Sequence, residues 1–189
     1  MLKVDFDGTE TYPKINEYVE ALSSSTLEQA IQELEAITKQ VRSAGKNDTF
    51  GLNNLLRIFG QTHLNLAQEF ITQTIAKNLD LKYHLGFVLA GIRLSDREIA
   101  RGYVRSWAAQ DDSVLWVVIA QSYRFIDWSQ PQLEEEWDVL RQLVTKQSSL
   151  VDLTLFLPIQ HLAPHKPDLA VELLKPLERR SSNHDGGKA

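Results

Sequence analysis

The chain has no cysteine in 189 residues. That absence excludes disulfides, thiolate zinc sites, iron–sulfur ligation and cysteine nucleophiles. Glycine is also scarce, at 9 residues, and none of it falls into a phosphate-cradling P-loop or a G-x-G-x-x-G turn. The G-x-S-x-G and H-E-x-x-H signatures of common hydrolases are missing too. No run approaches the roughly 18 consecutive apolar residues that a membrane-spanning helix needs. The opening Met1-Leu2-Lys3-Val4-Asp5 lacks the basic-then-apolar order of a signal peptide, because Asp5 and Asp7 arrive at once. Positive charge is in deficit, with 20 Lys and Arg against 25 Asp and Glu. The net charge of -5 weighs against a general nucleic-acid binder, whose domains are strongly basic. The expectation is a cytoplasmic, soluble protein with no cofactor, no metal and no membrane association.

What is present is a repeat. With Leu66, Ile99, Leu133 and Leu169 as reference points, the separations are 33, 34 and 36 residues. Four residues after each reference stand Phe70, Tyr103, Trp137 and Leu173. Seven before stand Phe59, Ile92, Ile126 and Leu162; ten before stand Leu56, Leu89, Tyr123 and Ile159; fourteen before stand Leu52, Leu85, Ile119 and Leu155. Every one of these positions is apolar or aromatic. The three leading columns are spaced four and then three apart, which is the stripe along one side of a helix. The two trailing columns belong to a second helix after a short break.

The breaks carry helix-start chemistry. Ser95-Asp96-Arg97-Glu98 and Ser129-Gln130-Pro131-Gln132 have the form of capping boxes, and Pro164 to Asp168 opens the last second helix. Asp111-Asp112-Ser113 and Ser148-Ser149 offer caps for two of the first helices. Residues 14–23 and 26–43 read as two further helices outside the columns, the second with a Thr26-x-x-Gln29 capping box. Ala44-Gly45-Lys46-Asn47-Asp48 reads as a linker, and the tail from Ser181 to Ala189 as disordered. Val114 to Ala120 and Leu150 to Ile159 have the local composition of buried strands, but the periodicity across units assigns them to helices.

A two-helix unit cannot bury its apolar side alone, so neighbouring units must stack. In this periodicity and turn placement, residues 48–180 resemble the HEAT/armadillo α-solenoid superfamily. The chain departs from the pattern in one respect: HEAT-like units usually carry a basic residue early in the second helix, and only Arg97 and Arg101 supply one here. The resemblance implies an all-α fold: a short right-handed α-solenoid over residues 48–180, with an N-terminal helical cap over 1–47 and a tail over 181–189. It also implies a concave face, lined by second helices, that binds another protein as an adaptor or regulatory subunit.

Several residues are candidates for that role or for chemistry. Arg97, Arg101 and Arg105 form a basic stripe along one second helix, either meeting a partner or pairing with Glu135 and Asp138 of the next unit. Trp128, outside the repeat columns, is either an exposed anchor for the partner or a residue folded back at a helix start. Trp107, Trp116 and Trp137 read as packing residues. His161 and His165 stand four apart, but Pro164 interrupts the helix between them. Glu134-Glu135-Glu136 suits the positive end of a helix. Finally, Asp5-Phe6-Asp7-Gly8-Thr9 resembles the first motif of the haloacid dehalogenase superfamily. That resemblance would make Asp5 the nucleophile and Asp7 the general acid/base of a Mg²⁺-dependent phosphohydrolase, with Asp111-Asp112 as its acidic pair. It requires a parallel sheet. A third reading, a HEAT-like nucleic-acid binder, rests on the arginine stripe.

Overall fold

A computed structural model of the chain describes residues 12–43 and 50–185. Among these residues there are ten α-helices, two short 3-10 turns and no strand. The helices are α1 (Tyr12–Ser23), α2 (Leu27–Ser43), α3 (Phe50–Thr62), α4 (Leu64–Ala76), α5 (Leu85–Ser95), α6 (Arg97–Ala108), α7 (Ser113–Ser122), α8 (Glu134–Val144), α9 (Ser149–Leu162) and α10 (Pro167–Asp185). The two strand-like stretches are α7 and the body of α9, as the periodicity requires. In α7, every residue from Leu115 to Ala120 is buried, so a helix apolar on all sides is enclosed on all sides.

The chain divides into two compact units, Met1–Tyr103 and Val104–Ala189, with the division inside α6. In the first unit, α3 packs against both α1 and α5, while α2 packs against α4. In the second unit, α7 packs against α9, and α10 against both α8 and α9. First helices therefore meet first helices and second helices meet second helices.

The three first-helix columns are buried at all twelve positions, from Leu52 to Leu162. The second-helix columns are buried at Phe70, Leu133, Leu169 and Leu173, but only half-buried at Leu66, Ile99, Tyr103 and Trp137. In α4 and α6 the inward position is one residue later, at Ala67, Ala100 and Val104. The small alanines occupy the buried line there, and the bulkier Leu66 and Ile99 are left half-buried beside it.

The closest approach is between α3 and α5. A Cβ added to Gly60 would lie 2.2 Å from the Val88 carbonyl oxygen, and one added to Gly91 would lie 2.0 Å from that of Arg57. Each glycine leaves room for the opposite backbone.

The caps follow the expected chemistry at some starts and depart from it at others. Thr26 and Gln29 close their box, with Gln29 N donating to Thr26 Oγ1 at 3.3 Å and Thr26 N to Gln29 Oε1 at 3.1 Å. Asp112 accepts from Val114 N at 2.8 Å and Leu115 N at 3.4 Å. Ser148 holds the cap position of α9, but its hydroxyl makes no capping bond. At α6 the expected Ser95 box gives way to Asp96, which accepts from Ile99 N at 3.0 Å. At α8 no box forms. Asp127 instead accepts from Ser129 N at 3.1 Å and Ser129 Oγ at 2.6 Å, closing a turn, and Gln132 takes a left-handed φ of 61° before the helix begins at Glu134. Helix α10 begins with Pro167 at its first position and runs to Asp185, into the stretch read from sequence as a tail. The linker Ala44–Asp48 and the Asp5–Thr9 motif lie outside the described residues.

Candidate functional site: the second-helix face

The second helices carry most of the charge, as in Glu134-Glu135-Glu136-Trp137-Asp138 of α8. Each turns an apolar side inward and leaves charged side chains on the other. In the second unit, two contacts repeat from one second helix to the next. Arg105 of α6 grips Glu135 of α8 with two bonds, one of them Nη2 to Oε2 at 3.1 Å. Arg141 of α8 grips Glu172 of α10 in the same way, with Nε to Oε1 at 2.8 Å and Nη2 to Oε2 at 3.4 Å. The partners are 30 and 31 residues apart, so the same fork-on-carboxylate geometry recurs one repeat later.

A second device recurs beside it. The last carbonyls of a helix have no partner within the helix. Gln142 Nε2 of α8 donates to the carbonyl of Ala108, the last residue of α6, at 3.1 Å. Arg180 Nη2 of α10 donates to the carbonyl of Val144, the last residue of α8, at 2.9 Å. Arg180 also binds Asp152 of α9 through two bonds of 2.7 and 2.8 Å. That side chain therefore joins three helices.

A groove lies between α8 and the start of α10. Its volume is about 320 Å³, and its lining includes Trp137, Arg141, His165, Lys166, Asp168 and Glu172. The Lys166 ammonium lies 4.6 Å from the centre of the Trp137 ring, a cation–π contact. Arg141 is shared between Glu172 and Asp138, the latter at 3.0 Å. The hydrogen bond it donates to Glu172 is the main reason the Arg141 guanidinium holds its proton more tightly than usual, and the same bond lowers the Glu172 carboxyl below its ordinary value. The wall is thus an aromatic plane with charges of both signs.

The first unit has a comparable groove of about 300 Å³ on its second helices, lined by Leu27, Gln68, Glu69, Thr72, Gln73 and Tyr103. Burial raises the pKa of the Tyr103 phenol, and a hydrogen bond from Thr72 opposes that shift. One carboxylate, Glu69, is the only formal charge in this lining.

The residues singled out from sequence are placed as follows. Arg97 is half-buried at the first position of α6. Arg101, 16% exposed at its side chain, bonds Glu98 of its own helix at 2.8 Å. Across the repeat, Glu135 pairs with Arg105, and Asp138 pairs with Arg141 of its own helix. Trp128 is not exposed: it is 4% accessible, its ring 6.2 Å from that of Tyr123, which rules out the exposed-anchor reading. Trp107 and Trp116 are buried, and Trp116 donates to the Gln110 carbonyl at 2.8 Å while Lys146 covers its ring at 4.3 Å.

Of the acidic run, Glu135 serves the Arg105 clamp and Glu136 is buried at 1% accessibility. His161 Nδ1 lies 3.1 Å from the Arg124 carbonyl, and His165 lines the α8–α10 groove, so the two do not form a pair. Asp112 is occupied as a helix cap. Among the described residues no group of three or more His, Asp or Glu is placed to hold a metal ion. No helix among them is long and apolar enough to cross a membrane. The sheet that a dehalogenase site needs is likewise not found among them, and Asp5 and Asp7 lie outside them.

Sequence reading did not pick out Arg141, Lys166, Glu172 or Arg180. The signal was available in the recurrence of an arginine late in one second helix and a glutamate early in the next. No family model, curated protein or solved structure matches this chain.

Proposed function

We infer that this chain is a protein-binding helical-repeat module of the α-solenoid kind, which receives its partner on the second-helix face. The observation that carries this reading is the recurrence of both devices, the arginine–glutamate clamp and the carbonyl tie, from α6–α8 to α8–α10. Stacked repeats are built by repeating their contacts. Such stacking leaves an extended face whose grooves lie between successive second helices, and the α8–α10 groove has the mixed aromatic and charged lining of a recognition surface. Because Arg101 and Arg105 are both engaged by carboxylates, the reading centres on Trp137 and Lys166 rather than on the arginine stripe. The same engagement gives the nucleic-acid reading no added support.

The test is affinity capture from the native extract with the full chain and with Lys166→Glu as parallel baits. Lys166 is exposed, so the variant keeps the fold while reversing the charge above Trp137. A stoichiometric protein recovered by the first bait and lost from the second supports the reading. Equal recovery by both removes the groove from it. Recovery of no protein, together with hydrolysis of a generic phosphate ester that Asp5→Asn abolishes, replaces it with the phosphohydrolase.

A further inference from the structure

Helix α9 exposes a row of large apolar side chains: Leu150 at 51%, Leu153 at 69%, Phe156 at 43% and Leu157 at 37%. Their spacing of three, three and one puts them on one side of the helix. No other described element exposes more than one large apolar residue: Phe50, Ile75, Tyr83, Leu94, Phe125 and Val171 are distributed singly. Single exposed apolar residues need no explanation, whereas a contiguous row does.

The repeat shows what kind of surface this is. In α3, the side carrying Arg57 and Gly60 receives α5. Asn53 lies one turn before Arg57 on that side. When the repeat columns are superposed, Leu52 falls on Leu155, so Asn53 and Arg57 fall on Phe156 and Gln160. Both Phe156 and Gln160 are exposed. The side on which α3 accepts another first helix is therefore uncovered on α9 among the described residues, and it is apolar there. By contrast, the exposed positions of α1 include Lys14, Asn16, Glu17 and Glu20, which are polar.

We propose that this stripe is the contact through which two copies of the chain associate, α9 against α9 about a two-fold axis. Charge selects the occupant. Exposed residues of α9 between Ser149 and His161 include no Asp, Glu, Lys or Arg, and the one carboxylate of the helix, Asp152, is bound to Arg180. A charged partner would lose hydration without gaining a counter-charge. The matching surface is an uncharged apolar helix side, and on a second copy that surface is α9 itself. A patch that complements itself closes into an isologous dimer rather than an open chain. Four side chains over about 10 Å of helix make a small interface, so the association is of the weak class. The inference does not rest on the α8–α10 groove.

The experiment is sedimentation velocity on the full chain from about 1 to 200 μM, with the double variant Leu153→Glu/Phe156→Glu alongside it. The expected result is a concentration-dependent shift from monomer to dimer that weakens at least about tenfold in the variant, whose far-UV circular dichroism is unchanged because both side chains are exposed. The absence of cysteine allows a second, independent reading: Leu153→Cys and Phe156→Cys, each a lone thiol, form disulfide-linked dimers on mild oxidation faster than Val171→Cys on α10. A wild-type chain that stays monomeric over the whole range overturns the proposal, as does a dimer that survives both glutamates. A monomer that binds phosphatidylcholine vesicles only when Leu153 and Phe156 are intact also overturns it, assigning the stripe to lipid.

Discussion

Gly91 of α5 stands against the Arg57 carbonyl of α3 so closely that a methyl group on its Cα would lie 2.0 Å from the oxygen. Gly60 makes the reciprocal contact with Val88. Neither helix can roll or slide without driving backbone into backbone, so this pair fixes the first-helix register in its unit.

Gly91→Ala is therefore expected to destabilise the chain by about 1–3 kcal/mol, the range for overpacking a tight core. Gly102 is the opposite case. It sits exposed within α6 with no atom within 4 Å of an added Cβ. Gly102→Ala removes a helix-interior glycine at no steric cost and should add about 0.5–1 kcal/mol. Urea unfolding of both variants checks the two signs in one experiment. A Gly91→Ala chain as stable as the parent would refute the close approach.

Asp112 is a helix cap with two backbone donors on one oxygen. Asp112→Ala should cost about 1 kcal/mol, and Asp112→Asn much less, because the amide oxygen can still accept. Equal losses in the two variants would point to charge rather than capping.

Arg180 ties α10 to Asp152 and to the end of α8. Its removal as Arg180→Ala should cost about 1.5–3 kcal/mol, the scale of bonds to a charged group in a partly buried setting. Arg180→Lys is expected to recover little, since one ammonium cannot hold two carboxylate oxygens and a carbonyl in that fork. A lysine variant matching the parent in thermal unfolding would show that charge alone matters.

The pH dependence follows from Glu172 and Asp127. The Arg141 hydrogen bond lowers the first, and the Ser129 hydroxyl chiefly lowers the second. A carboxyl with a depressed folded pKa contributes stability above its unfolded value, about 4, and that contribution disappears as pH falls through the folded pKa. Stability should therefore decline on acidification below about pH 5. Glu172→Gln should flatten part of that acid limb while changing little of its shape near neutrality. Urea midpoints from acid to neutral pH measure it, and an identical acid limb in the variant would contradict the assignment.

How much of this was readable beforehand depends on which side chain decides each feature. The first helices were legible in their burial, because large aliphatic residues such as Leu52, Leu89 and Leu155 have one reason to recur at helical spacing, but in the third unit α7 stops at Ser122, so Tyr123 falls in a 3-10 turn and Ile126 just after it. The second helices slipped by a residue in two units. There, Ala67 and Ala100 define the inward line, and an alanine looks indifferent in sequence although both are buried. Thr26-Gln29 announced its cap correctly, whereas Ser129-Gln132 did not, because Asp127 two residues earlier competes for the serine and turns the chain first. Trp128 was ambiguous because its fate depends on Tyr123, which only the fold brings beside it. In the clamps, arginine and glutamate are common on any helix surface, and their pairing emerges only once an arginine of one second helix is compared with a glutamate 30 or 31 residues later.

The carbonyl ties run in one direction. Ala108 leans on Gln142, and Val144 on Arg180, so the ends of α6 and α8 are each finished by a later part of the chain. Damage near Arg180 would undo α8 at its last turn, and a frayed α8 would in turn release Gln142 from α6. Melting within this half is thus set to travel backwards towards the amino end, like a row of clasps opening from the last.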